Sequence, residues 1–88
     1  PSDALFSRRV QIRDVNFIPF DTLTGEMRAQ AKLRYTPKTA ACTVRPTQYG
    51  AELLFDEPQR AITPGQAAVL YDGENLLGGG TIACASQD

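Results

Sequence analysis

Histidine is absent from the sequence, and cysteine occurs only twice, as Cys42 and Cys84. Two cysteines do not form a disulfide framework and are too few ligands for a structural zinc site. We interpret both as free thiols in a reducing compartment, while sequence alone leaves a bond between them open. The sequence has no histidine that could act as a base to activate Cys42. The residues on the same strand face, Ala40 and Val44, are apolar. Inert packing is therefore preferred over a nucleophilic role.

Long apolar runs and an excess of one charge are also missing. Apolar stretches such as residues 67–71 fall far short of the roughly 20 residues that span a bilayer, and no signal-peptide pattern is present. The sequence predicts a cytoplasmic protein without membrane contact. The net charge is −1, whereas free-standing nucleic-acid binders usually carry a positive excess. Any RNA contact is expected to be local, weak or shared with another domain.

The remaining composition is that of an ordinary globular protein. Hydrophobic residues make up 42% and charged residues 22%, which argues against disorder. A chain of 88 residues supports one modest core, so we expect residues 1–88 to form a single domain. Because no enzyme core is recognisable and the first residue is Pro1, we expect a fragment of a larger protein.

Short alternating runs separated by turn residues dominate the sequence, as is typical of a small all-β domain. In residues 27–35 the odd positions are apolar and the even positions are Arg28, Gln30, Lys32 and Arg34. Successive strand side chains point to opposite faces, so the odd set is expected in the core and the even set in solvent. Further strands, with a hairpin turn at 72–75, are predicted at residues 39–45, 49–55, 66–71 and 76–84.

The first run, near the N-terminus, requires an irregularity. Val10 and Ile12 share one parity, whereas the apolar residues at 15 and 17 share the other. A β-bulge near Arg13 and Asp14 would restore the pattern, and Pro19 would end the strand. The count is then about six strands. Because closure removes exposed sheet edges, we predict an all-β fold, a small closed antiparallel β-barrel.

Turn residues divide the chain between these runs. Pro64, Gly65 and Gln66 predict a tight turn, in which proline fixes φ and glycine takes a positive φ. Gln66 could also bridge the barrel mouth or reach a nucleotide. Pro46 and Thr47 are expected to separate the strands at 39–45 and 49–55.

Two features that suit nucleic-acid binding have structural interpretations that we prefer. Gly78, Gly79 and Gly80 could cradle a phosphate, but no helix start with Lys and Ser or Thr follows them. A crowded corner, a turn or a bulge fits them better. The tyrosines could stack on bases, yet their parity matches apolar neighbours, which favours core packing with the hydroxyl at the rim. They are Tyr35, Tyr49 and Tyr71.

Basic residues on one strand face are the candidates for RNA contact. Arg28, Lys32 and Arg34 form a stripe on one strand face at intervals of four and two residues, which could follow a phosphate backbone. Arg45 would join the stripe if its strand pairs alongside, and Arg60 lies in a predicted loop. The alternative is an ordinary solvated face.

The segment from Phe55 to Ile82 resembles the end of the bacterial tRNA-specific 2-thiouridylases (tRNA-uridine 2-sulfurtransferases). It contains in order Pro-Gly-Gln at 64–66, Ala-Val-Leu-Tyr-Asp-Gly at 68–73 and Leu-Gly-Gly-Gly-Thr-Ile at 77–82. Upstream, Val-Asn-Phe-Ile at 15–18 and Lys-Leu-Arg-Tyr at 32–35 also resemble the family. Pro-Gly-Gln alone is a weak signal, whereas the ordered combination is a strong one.

The resemblance implies a barrel similar to the second domain of translation elongation factors. It also implies a parent enzyme that replaces the C2 oxygen of the wobble uridine in tRNA with sulfur. In the family, an N-terminal catalytic domain uses ATP and a cysteine persulfide, supplied through a sulfur-relay protein. The nucleotide-loop motif of that domain is absent from this sequence, so no catalytic residue, metal or cofactor is assigned to it.

Two functions remain open at this point. The chain is expected to be a C-terminal accessory domain that helps position tRNA, with no catalysis of its own. The alternative is a purely structural barrel that packs on the catalytic domain without touching RNA. An independent enzyme that uses Cys42 is the least favoured, because acid–base partners are missing.

Overall fold

Residues 6–33 and 38–86 are described by the computed structural model of the chain, and every regular element within them is a β-strand. In chain order these are β1 (Phe6–Phe17), β2 (Met27–Leu33), β3 (Ala40–Thr47), β4 (Gly50–Arg60), β5 (Ala67–Asp72) and β6 (Asn75–Ser86). The strands pair antiparallel in the order β1-β4-β3-β2-β5-β6, and β6 pairs with β1 to close the barrel. The predicted all-β closed barrel of six strands is thereby confirmed. Within the two described ranges, no helix is long and apolar enough to cross a membrane.

The barrel interior is filled by the side chains that the alternation assigned to the core. In β2, Ala29 and Ala31 are buried while Arg28 and Lys32 are exposed, as predicted. Burying a large aliphatic or aromatic side chain contributes about 1.5–3 kcal/mol, so this layer supplies much of the stability. The buried apolar residues are Val10, Ile12, Ala29, Ala31, Leu33, Cys42, Val44, Ala51, Leu53, Phe55, Ala68, Leu70, Leu77 and Ile82.

Strand β1 carries the predicted bulge. Its register against β6 shifts between Arg13 and Asn16, and Asp14 adopts a φ of 53°. Ile12 is buried before the shift and Phe17 packs against the core after it, which is the change of parity seen in the sequence. A bulge also increases the local bend of a strand, and this helps the twelve-residue β1 to follow the curved wall.

Pro46 and Thr47 do not separate two strands, so that prediction was wrong. They are the last residues of β3 and still pair with β4. The reason lies in the neighbouring strand: β2 begins at Met27, opposite Val44, and β3 has a partner on one side only beyond that point. Proline is tolerated in a strand where no neighbour requires its N–H, and the strand therefore continues through Pro46.

The tyrosines depart from their predicted core positions. Tyr49 is 80% exposed in the turn between β3 and β4. Tyr71 is half-buried on the outer face of β5, because the inward positions of that strand are Ala68 and Leu70. All five residues 67–71 are apolar, so parity alone did not identify the buried face. Tyr35 lies outside the described residues.

The hairpin between β5 and β6 forms where it was predicted and is tighter than expected. Asp72 and Asn75 still pair, and only Gly73 and Glu74 remain in the turn. Gly73 has a φ of 62°, the sign that a type II′ hairpin requires at its first central residue. Its backbone N–H donates to Gln30 Oε1 at 2.8 Å, which ties the turn to β2.

Candidate nucleic-acid interface

A polar cluster on the outer wall surrounds Glu52. The pairing of β1, β4 and β3 aligns Gln11, Glu52 and Arg45 in one row across the three strands. Glu52 Oε1 accepts a hydrogen bond from Arg9 Nη1 at 2.9 Å, and Glu52 Oε2 accepts one from Gln11 Nε2 at 2.6 Å. Arg45 Nε lies 3.3 Å from Glu26 Oε2 and 3.7 Å from Glu52 Oε1. The cluster therefore balances two arginines against two carboxylates.

Glu52 is the one buried charged residue of the described chain, at 8% exposure. Burial alone would raise the pKa of its carboxyl group, but the hydrogen bonds from Arg9 and Gln11 and the charges of Arg9 and Arg45 outweigh burial and hold the pKa below its ordinary value. The carboxylate is thus ionised at neutral pH and fixes the surrounding side chains against the barrel wall.

Arg28 on β2 forms a bidentate ion pair with Asp56 on β4. The two distances are 2.7 Å from Nη1 to Oδ1 and 2.6 Å from Nη2 to Oδ2, and Nη1 also donates to Thr43 Oγ1 at 3.1 Å. Hydrogen bonding within the pair raises the pKa of Arg28 and lowers that of Asp56. The forked geometry is the one that arginine would otherwise use for a phosphate, so Arg28 has few donors left for RNA.

The predicted basic stripe is consequently only partly available. Arg28 and Arg45 do lie on neighbouring strands of the outer wall, as expected, but both are held by carboxylates. Arg34 lies outside the described residues. Lys32 and Arg60 are exposed and have no ion pair with residues 6–33 or 38–86. Arg60 is the last residue of β4 and does not lie in the predicted loop, because β4 continues past Phe55 to pair with the start of β1.

Lys38 is a further exposed cation that the sequence analysis did not select. It stands just before β3 and has no carboxylate partner within the described ranges. Lys32 and Arg60 lie at or near the ends of β2 and β4, and the start of β3 meets those ends because the strands are antiparallel. Lys38 could have been selected from the sequence because it lies in a short connection between two alternating runs, where a charged side chain is solvent-exposed.

The segment at Pro64, Gly65 and Gln66 forms the tight turn that its composition suggests. Gln66 N donates to Thr63 O at 3.3 Å, and Gly65 has a φ of +91°, as in a type II turn with proline first and glycine second. Gly65 N donates to Ile82 O and Ile82 N donates to Gln66 O, each at 2.8 Å. These bonds hold the 61–66 loop against β6. Gln66 Oε1 is buried and has no hydrogen-bond partner within the described chain.

Gly78, Gly79 and Gly80 lie inside β6 and not in a turn, which corrects that part of the prediction. A Cβ on Gly78 would overlap the Asn16 carbonyl oxygen, and one on Gly79 would come within 2.5 Å of the Ala68 carbonyl oxygen. The absence of side chains lets β6 approach both of its neighbours closely. Their N–H groups lie in a strand flanked by β1 and β5 and form no open loop for a phosphate.

Both cysteines are free, Cys42 in the core and Cys84 on the surface. Burial raises the pKa of the Cys42 thiol to about 11, against a smaller opposing effect of Arg28. A thiol with that pKa is almost wholly protonated at neutral pH and is a poor nucleophile. Within the described ranges, no group of three or more histidine, cysteine or acidic side chains is placed to hold a metal ion.

The fold and the sequence define the class of domain. The profile of the aminomethyltransferase β-barrel domain matches residues 7–82, and the chain belongs to this family of barrels. More particularly, most of the chain is similar to part of the tRNA-specific 2-thiouridylases, as three relatives illustrate.

These relatives are each named tRNA-specific 2-thiouridylase MnmA. The one from Acidobacterium capsulatum is 48% identical over 89% of this chain and 22% of its own length. The one from Clostridioides difficile is 45% identical over 92% of this chain and 23% of its own length. The second copy from Caldanaerobacter subterraneus is 53% identical over 76% of this chain and 19% of its own length. The chain thus spans about a fifth of the relatives that it matches.

Proposed function

We propose that this chain is the accessory, tRNA-positioning domain of a longer tRNA-specific 2-thiouridylase and that it performs no catalysis itself. The observation that carries the proposal is the family match over residues 7–82, together with relatives of that name that are several times longer than the chain. The near-neutral surface fits an auxiliary role, because net affinity for RNA depends on unpaired cations.

In this proposal the longer protein replaces the C2 oxygen of the wobble uridine with sulfur, and its other domain supplies the sites for ATP and the persulfide. Neither the triple glycine of β6 nor Cys42 suits these groups. The triple glycine of β6 is packed against backbone carbonyls, and Cys42 is buried with a raised pKa. What the barrel offers is surface: Lys32, Lys38 and Arg60 are exposed and have no ion pair with the described residues.

A domain replacement tests the proposal. This chain would be fused to the catalytic part of the Acidobacterium capsulatum 2-thiouridylase in place of its own barrel, and compared with a version that has no barrel. We expect loss of the barrel to raise the KM for tRNA by about tenfold or more while the KM for ATP stays unchanged. The unchanged KM for ATP is the control for an intact catalytic part. Equal tRNA KM values in the two proteins would reject the proposal.

A second candidate function, a barrel that only packs on the catalytic part, is favoured by an apolar strip on the outer face. The strip consists of Ala67, Val69 and Tyr71 on β5 and Leu76 on β6, and Tyr71 pairs with Leu76. Leu76 is 48% exposed, and such a surface suits burial against another domain. In the fusion, Tyr71→Ser with Leu76→Ser should impair thiolation at every tRNA concentration if packing is the role. Lys32→Gln with Arg60→Gln should instead raise the KM for tRNA if positioning is the role.

A further inference from the structure

The charges of the barrel sort by position along its axis. On the wall, four arginines are each paired with a carboxylate: Arg9 with Glu52, Arg13 with Asp14, Arg28 with Asp56, and Arg45 with Glu26. These pairs contribute little net field. The charges that remain without an ion-pair partner among the described residues lie toward the two ends.

One end, which we call the cationic end, is formed by the starts of β1, β3 and β5, the ends of β2, β4 and β6, and the 61–66 loop. It carries Lys32, Lys38 and Arg60, all exposed. Arg8 on β1 and Glu57 on β4 lie on the same half of the barrel, and their opposite charges cancel in its sum. The 61–66 loop has no charged residue, so nothing in it repels a phosphate.

The opposite end, the acidic end, is formed by the 18–26 loop and the turns at 48–49 and 73–74. It carries Asp21, Asp72 and Glu74, all exposed and without an ion pair inside residues 6–33 and 38–86. Among the described residues, these three carboxylates balance the three cations at the other end, so a net charge near zero conceals the asymmetry.

The two fields are separate in physiological salt. Lys32 is opposite Val69, three residues before Asp72, which is about 10 Å along the strand at ~3.3 Å per residue. The two ends of the barrel are farther apart along β4, whose 11 residues span roughly 30 Å. The Debye length at about 0.15 M is ~8 Å, so a polyanion at one end is largely screened from the charges of the other.

We infer that the barrel meets tRNA with its cationic end and turns its acidic end away from the phosphate backbone. This inference rests on the proposed function and specifies the surface that performs it. Lys32, Lys38 and Arg60 contact phosphates, the uncharged 61–66 loop lies against the RNA, and the paired arginines of the wall take little part. About three phosphate contacts give weak, strongly salt-dependent binding, consistent with a domain that assists another.

The test is a titration of the ¹⁵N-labelled chain with tRNA at low salt, followed by two-dimensional NMR. We expect shifts of the backbone amides at residues 38–40 and 60–66 and none at residues 21–26 or 72–75. A folded spectrum with no shift anywhere would reject the proposed function together with the inference. Shifts confined to the acidic end or to the wall would overturn the inference alone.

Matched neutralised variants make the test quantitative. Lys32→Gln, Lys38→Gln and Arg60→Gln together should weaken tRNA binding about tenfold or more and bring the salt dependence close to zero. Asp21→Asn, Asp72→Asn and Glu74→Gln together should change the Kd by less than about threefold. Equal effects of the two sets would mean that total charge governs binding, and the inference would be wrong.

A final arm separates RNA from an acidic protein partner. Polyglutamate is titrated in place of tRNA at equal anion concentration. Weaker binding of polyglutamate supports RNA as the ligand of the cationic end. Tighter binding would identify an acidic polypeptide as the partner and would overturn the assignment to tRNA.

Discussion

We predict that the polar cluster around Glu52 on the barrel wall stabilises the fold through the charge of Glu52. Glu52→Gln keeps the shape of the side chain but removes the charge that Arg9 and Arg45 face. Gln11 would then oppose an amide in place of a carboxylate. The matched control is Glu57→Gln, an exposed carboxylate on the same strand whose side chain forms no ion pair with the described residues.

The expected loss of stability in Glu52→Gln depends on how deeply Glu52 and Arg9 are buried. A hydrogen bond to a charged group contributes about 1.5–3 kcal/mol, and stranding a fully buried charge costs about 3–5 kcal/mol. The Arg9 side chain is 37% exposed, so its guanidinium can be rehydrated and the second figure does not apply. We expect Glu52→Gln to lower the free energy of unfolding by about 1–2 kcal/mol, equivalent to about 5–15 °C in Tm for a domain of this size. Glu57→Gln should stay within about 0.5 kcal/mol.

Urea and thermal unfolding, followed by circular dichroism, would measure both variants at several pH values. The folded-state pKa of Glu52 is below its ordinary value of 4.5, so the stabilisation is complete well above that value. It is lost as the pH falls through the lowered folded-state pKa. The deficit of Glu52→Gln should thus be full at pH 7 and shrink in acid. Equal stability of the two variants at pH 7, or a deficit that does not change with pH, would refute this account of the cluster.

Three further predictions concern packing, thiol reactivity and salt. Gly78→Ala should cost about 3 kcal/mol or more in urea unfolding, because Gly78 has a φ of +148° and an added Cβ would overlap the Asn16 carbonyl oxygen. Gly25→Ala, with nothing within 4 Å, should cost less than about 1 kcal/mol, and similar losses would contradict close packing at β6. Alkylation of the folded chain at mildly alkaline pH should label Cys84, with Cys42 labelled only after unfolding; mass spectrometry that finds both labelled at once would disprove a closed core. Affinity for tRNA should fall about 20- to 40-fold between about 50 and 200 mM salt for about three phosphate contacts, and a flat response in anisotropy titrations would speak against an electrostatic interface.

Features set by local chemistry could be predicted from the sequence. The bulge at Arg13 and Asp14 was visible because the apolar parity changes within a single run. The turn at Pro64 and Gly65 was visible because those two residues have the φ values that a type II turn needs. Strand β2 was predicted from strict alternation alone. In each case the determining residues are close together in the chain.

Features set by the register between strands could not be predicted. Asp56 is 28 positions from Arg28, and the two side chains meet across β3 in a register that the alternation does not define. The same holds for Glu52, whose partners lie on the two strands that flank β4. The alternation thus places the basic residues on the outer face, but it does not show which of them are neutralised by carboxylates.

The pairing of β1 with β6 joins the first strand of the domain to the last. As a growing polypeptide leaves the ribosome, β2, β3 and β4 can zip together early because they are sequential neighbours. The barrel can close only after residues 75–86 have been synthesised, because β6 pairs with β1. Closing a loop over most of the chain is slow, and until it closes the sheet has unpaired edge strands that are prone to aggregation. Ribosomal stalling or truncation before β6 should thus yield aggregates, because the five-stranded intermediate leaves the edges of β1 and β5 unpaired.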